Sequence, residues 1–434
     1  MRDPSGQRCV MAIWAICLAF GIGTVTRAEE PTAALPERRL ALSEALELMN
    51  VRNADLRLAR RAVDAAAADR VSALARPNPT VSLSTTGNSP RLRIGPGVDP
   101  NRSTDVTVAL SQLFERGGKR ALRGEAASLA LEAVRGDAAE IRRQQGVLVA
   151  AAYYGLLFAQ ERVRVVNETA VLLQRSVTAT EVRLKAGDVA QSDLARIRVD
   201  RLRMENDLRQ AVAELARSRQ QLAFLVGIER ESDGIVATDQ WPDGNTLPGP
   251  VDVAAIVDRR ADVVAARRRL EAAGKVRDLA RTLTTRDVLV SGQYERYPGQ
   301  TSNGTVGVGV SVPLFLNYQY DGEIRRAEAQ VDAARDLLDR ARAASFTEID
   351  RARSDLAAAR DRVQRFESAL LKEAARSAEA AEFAYRNGAL GVIDLLDARR
   401  VLHATRIDAV AARADLARAL VAWDAAVVPY QAQP

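Results

Sequence analysis

No proline occurs between Asn101 and Gln240, and none between Leu314 and Val428. A proline inside a helix costs about 3 kcal/mol, because it lacks the N–H donor and clashes with the preceding turn. Its absence over two such windows, both rich in Ala, Leu, Arg and Glu, predicts very long helices. A helix from Lys119 to Lys185 alone would run for about 100 Å at 1.5 Å per residue.

Periodicity supports the first window. From Val134 the apolar or small positions run through Ala138, Ile141, Leu148, Ala152, Gly155, Ala159, Val163, Val166, Ala170, Leu173, Val177, Thr180 and Leu184 in steps of three and four, with Gln145 filling one slot of the row. This is a heptad-like seam with a phase slip. Its high alanine content favours close approach of helix to helix over a thick leucine core.

Each window contains the same short phrase. LKAGDVAQSDLARIR, residues 184–198, and YRNGALGVIDLLDAR, residues 385–399, align without a gap and share Gly187 with Gly388, Asp193 with Asp394, Leu194 with Leu395 and Arg198 with Arg399. A glycine that tolerates φ > 0, followed by polar residues able to start a helix, marks the tip of an antiparallel helical hairpin. The other parts repeat as well. Opening helices are expected over Leu42–Ala75 and Val251–Arg281. Strand pairs are expected near Thr80–Thr86 with Thr104–Phe114, and near Asp287–Tyr297 with Gly304–Leu314. TDVTVALSQLF and TVGVGVSVPLF both alternate with the period of two that a strand requires.

The expected fold is therefore mainly α with β, as two tandem repeats of helix, strand pair and long coiled hairpin. Residues 29–226 form the first repeat, 227–250 a connector with little structure around Pro242, Pro248 and Pro250, 251–428 the second repeat, and 429–434 a tail. Four strands cannot close a barrel wide enough for a channel. Four strands from each of three chains can.

With that order of parts, the chain resembles the TolC family of outer-membrane efflux channels over nearly all of residues 29–434. Pro77-Asn78-Pro79, QLFERGGKR at 112–120 and GEIRRAEAQ at 322–330 resemble the branch that serves heavy-metal export of the cobalt–zinc–cadmium type. The resemblance implies a trimer with a 12-stranded outer-membrane β-barrel on a 12-helix periplasmic tube. It implies the exit duct of a tripartite RND-type system, partnered by a periplasmic membrane-fusion adaptor and an inner-membrane pump and seated in outer-membrane lipid. It places Gly187, Gly388, Leu390 and Tyr385 at the hairpin tips where the adaptor docks. It also places Asp394, Asp397 and Asp193 at the pore constriction, where a ring of carboxylates attracts cations.

Read from the residues alone, Asp394 and Asp397 share one helical face and serve equally as negative charge at a helix start. Arg196 occupies the first-tip slot that corresponds to Asp397. Some family members carry an Arg two residues after the second-tip Gly as a closed-state link. Here that position is Leu390, leaving Arg386 or Arg196 as substitutes.

The first 28 residues have a basic start at Arg2 and Arg8, an apolar run from Val10 to Val25 and a small-residue end at Thr26-Arg27-Ala28. They read as a secretory signal. Both cysteines, Cys9 and Cys17, fall inside it, so the remainder has no thiol chemistry. His403 is the single histidine. No metal site of the usual ligand types and no cofactor site is expected. Gly117-Gly118-Lys119 resembles a fragment of a phosphate loop, but its spacing from the strand is wrong and a strand-to-helix turn explains it better. The net charge is +6 with both signs interspersed, and no nucleic-acid partner is expected. No catalytic motif is found. The alternatives are a multidrug or other small-molecule duct of the same family, a periplasmic adaptor, a structural coiled coil and a general porin. The last three need different ratios of strand to helix.

Overall fold

In a computed structural model, residues 37–86, 105–243, 252–297 and 303–430 are described here; the expected signal segment 1–28 lies outside them. The first half contains β1 (Arg38–Leu40), α1 (Leu42–Arg52), α2 (Ala54–Leu74), β2 (Thr80–Thr86), β3 (Asp105–Phe114), α3 (Lys119–Lys185), α4 (Gln191–Val226) and β4 (Ile235–Ala237). The second contains α5 (Val253–Arg259), α6 (Ala261–Thr282), β5 (Val288–Tyr297), β6 (Asn303–Ser311), α7 (Asp321–Arg365), a π-helical turn over Phe366–Leu370, α8 (Leu371–Arg386) and α9 (Val392–Val427). The protein is mainly helical with some sheet. The 67-residue α3 has the expected bounds. Its seam includes Ala152, Ala159, Val166, Leu173 and Val177 as buried residues, whereas Leu148 is 50% exposed and Val149 and Ala150 are buried instead. The shift falls just after Gln145, whose amide donates to Asp55 at 2.9 Å.

The structure departs from the expected elements in four places. Each opening helix is broken, at Asn53 and at Arg260, where the backbone is extended (φ −61°, ψ 133° and φ −70°, ψ 151°). Both side chains are buried and reach back to a terminal carbonyl of a returning helix, Asn53 to Leu225 at 2.9 Å and Arg260 to Ala426 at 3.4 Å. Helix ends leave such carbonyls without an intrahelical donor. The connector 227–250 is structured in its first part: Glu229–Gly234 form a 3-10 turn, and β4 pairs in parallel with β1. Ile228, Ile235 and Ala237 are buried in one core with Leu40, Met49, Tyr153 and Leu222. β6 ends at Ser311, two residues before Pro313 and short of Leu314. The last departure is the π turn that interrupts the second long helix.

A second core joins Val263, Leu338, Ile349, Leu416 and Trp423 from α6, α7 and α9. Where α3 crosses α6, a Cβ on Gly136 would lie 2.9 Å from that of Ala265, so side chains this small are what allow the approach.

The sheet is antiparallel in the order β2-β3-β5-β6, so β3 and β5 join the two repeats at its centre. Its two faces differ in a way that no water-soluble sheet would favour. Val81, Leu83, Val108, Leu110, Val290, Tyr294, Val306, Val308 and Val310 share one face by register, and all are at least 36% exposed. The opposite face carries Ser82, Ser84, Thr107, Ser111, Ser291, Gln293 and Thr305.

At the end of β3, the phrase QLFERGGKR joins strand to long helix through a dense set of polar contacts. Gln112 donates to the Pro77 carbonyl at 2.9 Å, and Arg123 holds Glu115 through two bonds at 2.8 and 3.0 Å. The buried Lys119 donates to Asp287 and to the Thr285 carbonyl, both at 2.8 Å. Gly117 and Gly118, at φ 71° and 73°, make the turn from strand into long helix.

Candidate functional site at the hairpin tips

The two tips share one backbone design. Gly187 and Gly388 sit at φ 84° and 74°. At the first, Gly187 N–H donates to Leu184 O and Asp188 N–H to Arg183 O, at 3.0 and 2.9 Å. At the second, Gly388 N–H donates to Tyr385 O and Ala389 N–H to Ala384 O, at 3.2 and 2.9 Å. These bonds satisfy the last carbonyls of the outgoing helices. Each returning helix starts from an extended residue, Ala190 or Gly391. A small core of Leu173, Val177, Leu194, Ile197, Val392 and Leu396, joined by Tyr385, packs the hairpins together.

Every residue shared by the repeated phrase has a place in this design. Leu194 and Leu395 are buried. Arg198 pairs with Glu181 at 2.7 Å and Arg399 with Glu382 at 3.3 Å, each clamping a returning helix to its outgoing partner. Asp193 and Asp394 are third residues of their helices, where the peptide dipoles favour a negative charge.

The surrounding charges differ. Asp193 has Arg196 within 3.7 Å. Asp394 is exposed and forms no ion pair among the described residues. Asp397 is 69% exposed and meets Arg400 at 3.2 Å. Arg400 also grips the buried Asp200 of α4 through two bonds at 2.7 and 2.8 Å. Its hydrogen bonds to Asp200 push the Arg400 pKa up, against a smaller opposing effect of burial. Arg386 pairs with Glu382 of its own helix, and Arg196 with Asp193 of its own. Neither bridges the hairpins; Arg400 with Asp200, and Arg399 with Ser176 at 2.7 Å, do.

Leu390 lies half-buried in the second turn, at the place of Val189 in the first. Tyr385 packs into the tip core under the Arg183 guanidinium, 5.2 Å from its ring centre. The links through Asp200, Glu181 and Glu382 escaped the sequence reading. For the last two the signal was present, since Glu also recurs at the same offset from each tip glycine.

His403 is half-buried on α9. Thr169 donates to the Val165 carbonyl at 2.9 Å and so offers its oxygen to the His403 Nδ1–H, also at 2.9 Å. Burial pushes the His403 pKa down; Asp207 opposes this, while Arg406 and Arg162 add to it. Among the described residues no group of three His, Cys, Asp or Glu side chains is placed to hold a metal ion, and no helix is long and apolar enough to cross a membrane.

Comparison with known proteins finds one family in both halves of the chain. The profile of the family described as outer membrane efflux protein matches residues 45–228 and 254–427. The cobalt-zinc-cadmium resistance protein CzcC of Cupriavidus metallidurans is 26% identical over 373 residues, 85% of each chain. Among solved structures, the outer membrane protein VceC of Vibrio cholerae superposes with a TM-score of 0.75 at 20% identity, covering 89% of this chain and 95% of that one. The CmeC outer membrane channel of Campylobacter jejuni gives 0.76 at 18% identity, covering 89% and 85%.

Proposed function

Because the chain belongs to the outer membrane efflux protein family, and with it to the outer membrane and a helical periplasmic body, we propose that three copies close into a 12-stranded barrel above a 12-helix tube. The observation that carries this reading is the sheet. One exposed face is apolar, the opposite face is polar, and among the described residues β2 and β6 are edge strands with unpaired backbone groups. In lipid each such group costs several kcal/mol, so a spanning sheet must close on itself. Four strands are too few for an aqueous lumen, and strands from further copies supply the rest. The apolar face then meets lipid, and the serines, threonines and Gln293 line water.

The duct catalyses nothing. It receives cargo from an inner-membrane RND-type pump through a periplasmic adaptor that docks at the tips around Gly187, Gly388, Leu390 and Tyr385. Similarity to CzcC favours heavy-metal cations as cargo, with drugs or other small molecules as the alternative. Asp394 and Asp397 of three copies form the acidic constriction, with Asp193 contributing less because Arg196 lies beside it. Support comes from their exposure and from Asp394 having no ion pair among the described residues. Planar-bilayer conductance of the purified protein tests the reading. A cation-selective pore, blocked by divalent cations from one side and relieved by Asp394→Asn with Asp397→Asn, is the expected result. Absence of both a trimer and a pore overturns it.

A further inference from the structure

Between the two hairpins, just behind the tips, lies an open cleft of about 420 Å³. One wall is α4, with Arg196, Val199 and Arg203; the other is α9, with Ile393, Leu396 and Arg400. Val199 and Ile393 are large apolar side chains left 48% and 52% exposed. The charges along the cleft are unevenly satisfied. Arg400 is held by Asp200 and Asp397. Arg196 has only the loose contact with Asp193 at 3.7 Å, and Arg203 is exposed and in no ion pair among the described residues. Arg196 and Arg203 are seven positions apart, two turns on one face and roughly 10 Å along the axis. Val199 lies between them. The wall therefore reads basic, apolar, basic.

We propose that this cleft selects an acidic helix of the adaptor: one apolar side chain seated against Val199, Ile393 and Leu396, with carboxylates about two turns apart reaching Arg196 and Arg203. The inference rests on the adaptor-docking reading above and adds to it the position and the charge of the partner. Charge complementarity is what identifies the occupant. The apolar floor alone would take any amphipathic helix, but two under-paired guanidiniums flanking it favour carboxylates and repel a basic surface. Arg is also the side chain whose planar fork matches a carboxylate through paired bonds.

The test places a photo-crosslinking residue at position 199 and, separately, at Ala389 on the second turn, in cells carrying the full efflux system, and identifies the products by mass spectrometry. Both positions are expected to capture the adaptor. Arg196→Glu with Arg203→Glu is expected to lower the yield at 199 by roughly tenfold, the effect of turning two rim attractions into repulsions. Replacing the facing adaptor carboxylates by Arg is expected to restore it. The detergent-stable oligomer serves as the folding control, since both arginines are exposed. Capture at 199 that ignores the charge reversal overturns the proposal, as does capture there of a second copy of this chain. Capture at 389 alone leaves docking at the tips standing and removes the cleft from it. Capture at neither overturns both readings together.

Discussion

The two halves of the chain fold alike and are dressed differently. Both returning helices begin after a left-handed glycine, both are clamped by a Glu–Arg pair, and both end against a buried polar side chain that breaks the opening helix. The first half closes its break with the neutral Asn53. The second uses the charged Arg260, which is 1% exposed and bonds Asp262 at 3.1 Å and Glu348 at 2.7 Å; Glu348 in turn meets Arg143 at 2.8 Å. At the tips, the slot of Arg196 in the first half is Asp397 in the second. Duplicated backbone thus tolerates divergent charge wherever the charge finds a partner. Residues setting φ, burial and clamp recur, whereas residues facing a different neighbour do not.

The largest test of this contrast lies at the breaks. Arg260→Ala removes the only ion-pair partner of Asp262 among the described residues and leaves Glu348 with Arg143 alone, and is expected to destabilise α6 by about 3 kcal/mol, in line with breaking a buried ion pair from one side. Asn53→Ala loses neutral hydrogen bonds and is expected to cost only about 1–2 kcal/mol. Hydrogen exchange of α2 and α6 compares them directly; equal losses would mean that the charge network adds nothing to the neutral design.

The next effect is at the link between hairpins. Arg400→Ala leaves the buried Asp200 without its partner and is expected to cost about 2 kcal/mol of local stability, discounted because Arg400 is itself 56% exposed. Arg196→Ala removes a loose surface contact and should cost at most about 0.5 kcal/mol. Exchange rates around Ile197 and Leu396 separate the two.

At the turns, Gly187→Ala and Gly388→Ala are each expected to cost about 1–2 kcal/mol, the penalty of a left-handed backbone with a Cβ. The two values should agree, because an added Cβ meets nothing within 4 Å at either site. Thermal unfolding of the pair checks this; a clear inequality would show that the turns are less alike than their backbones.

Acid gives the mildest contrast. Burial pushes the Glu348 and Asp262 carboxyls up, but their bonds to Arg260, with Arg143 beside Glu348 and Ser345 beside Asp262, more than reverse this and hold both below the usual carboxylate range. Groups whose pKa is lowered on folding contribute stability above their unfolded values, and lose it as pH falls through the folded ones. Between pH 7 and pH 3, α6 should therefore gain exchange faster than α2, whose break at Asn53 does not titrate. Arg260→Met should remove most of the difference.

Much of this was written in the chain itself. The proline-free windows dictated the long helices, because no other common residue ends a helix so decisively. The recurring Gly, Leu and Arg marked both tips, and alternation marked the strands. These are local signals, carried by the backbone preference of single residues or by one period. What the sequence left open needed two distant segments to meet. Continuous helical pattern runs through Asn53 and Arg260, and only the carbonyls of Leu225 and Ala426 reveal why the helices break there. The connector looked loose because its three-residue strand is too short for periodicity and exists only by pairing with β1. Asp200 looked like one more charge on a solvated helix until Arg400 came to it from the other hairpin. Composition and period determined the elements; which buried polar group answers which was decided by the tertiary structure, because a buried polar group is stable only beside the partner that folding brings.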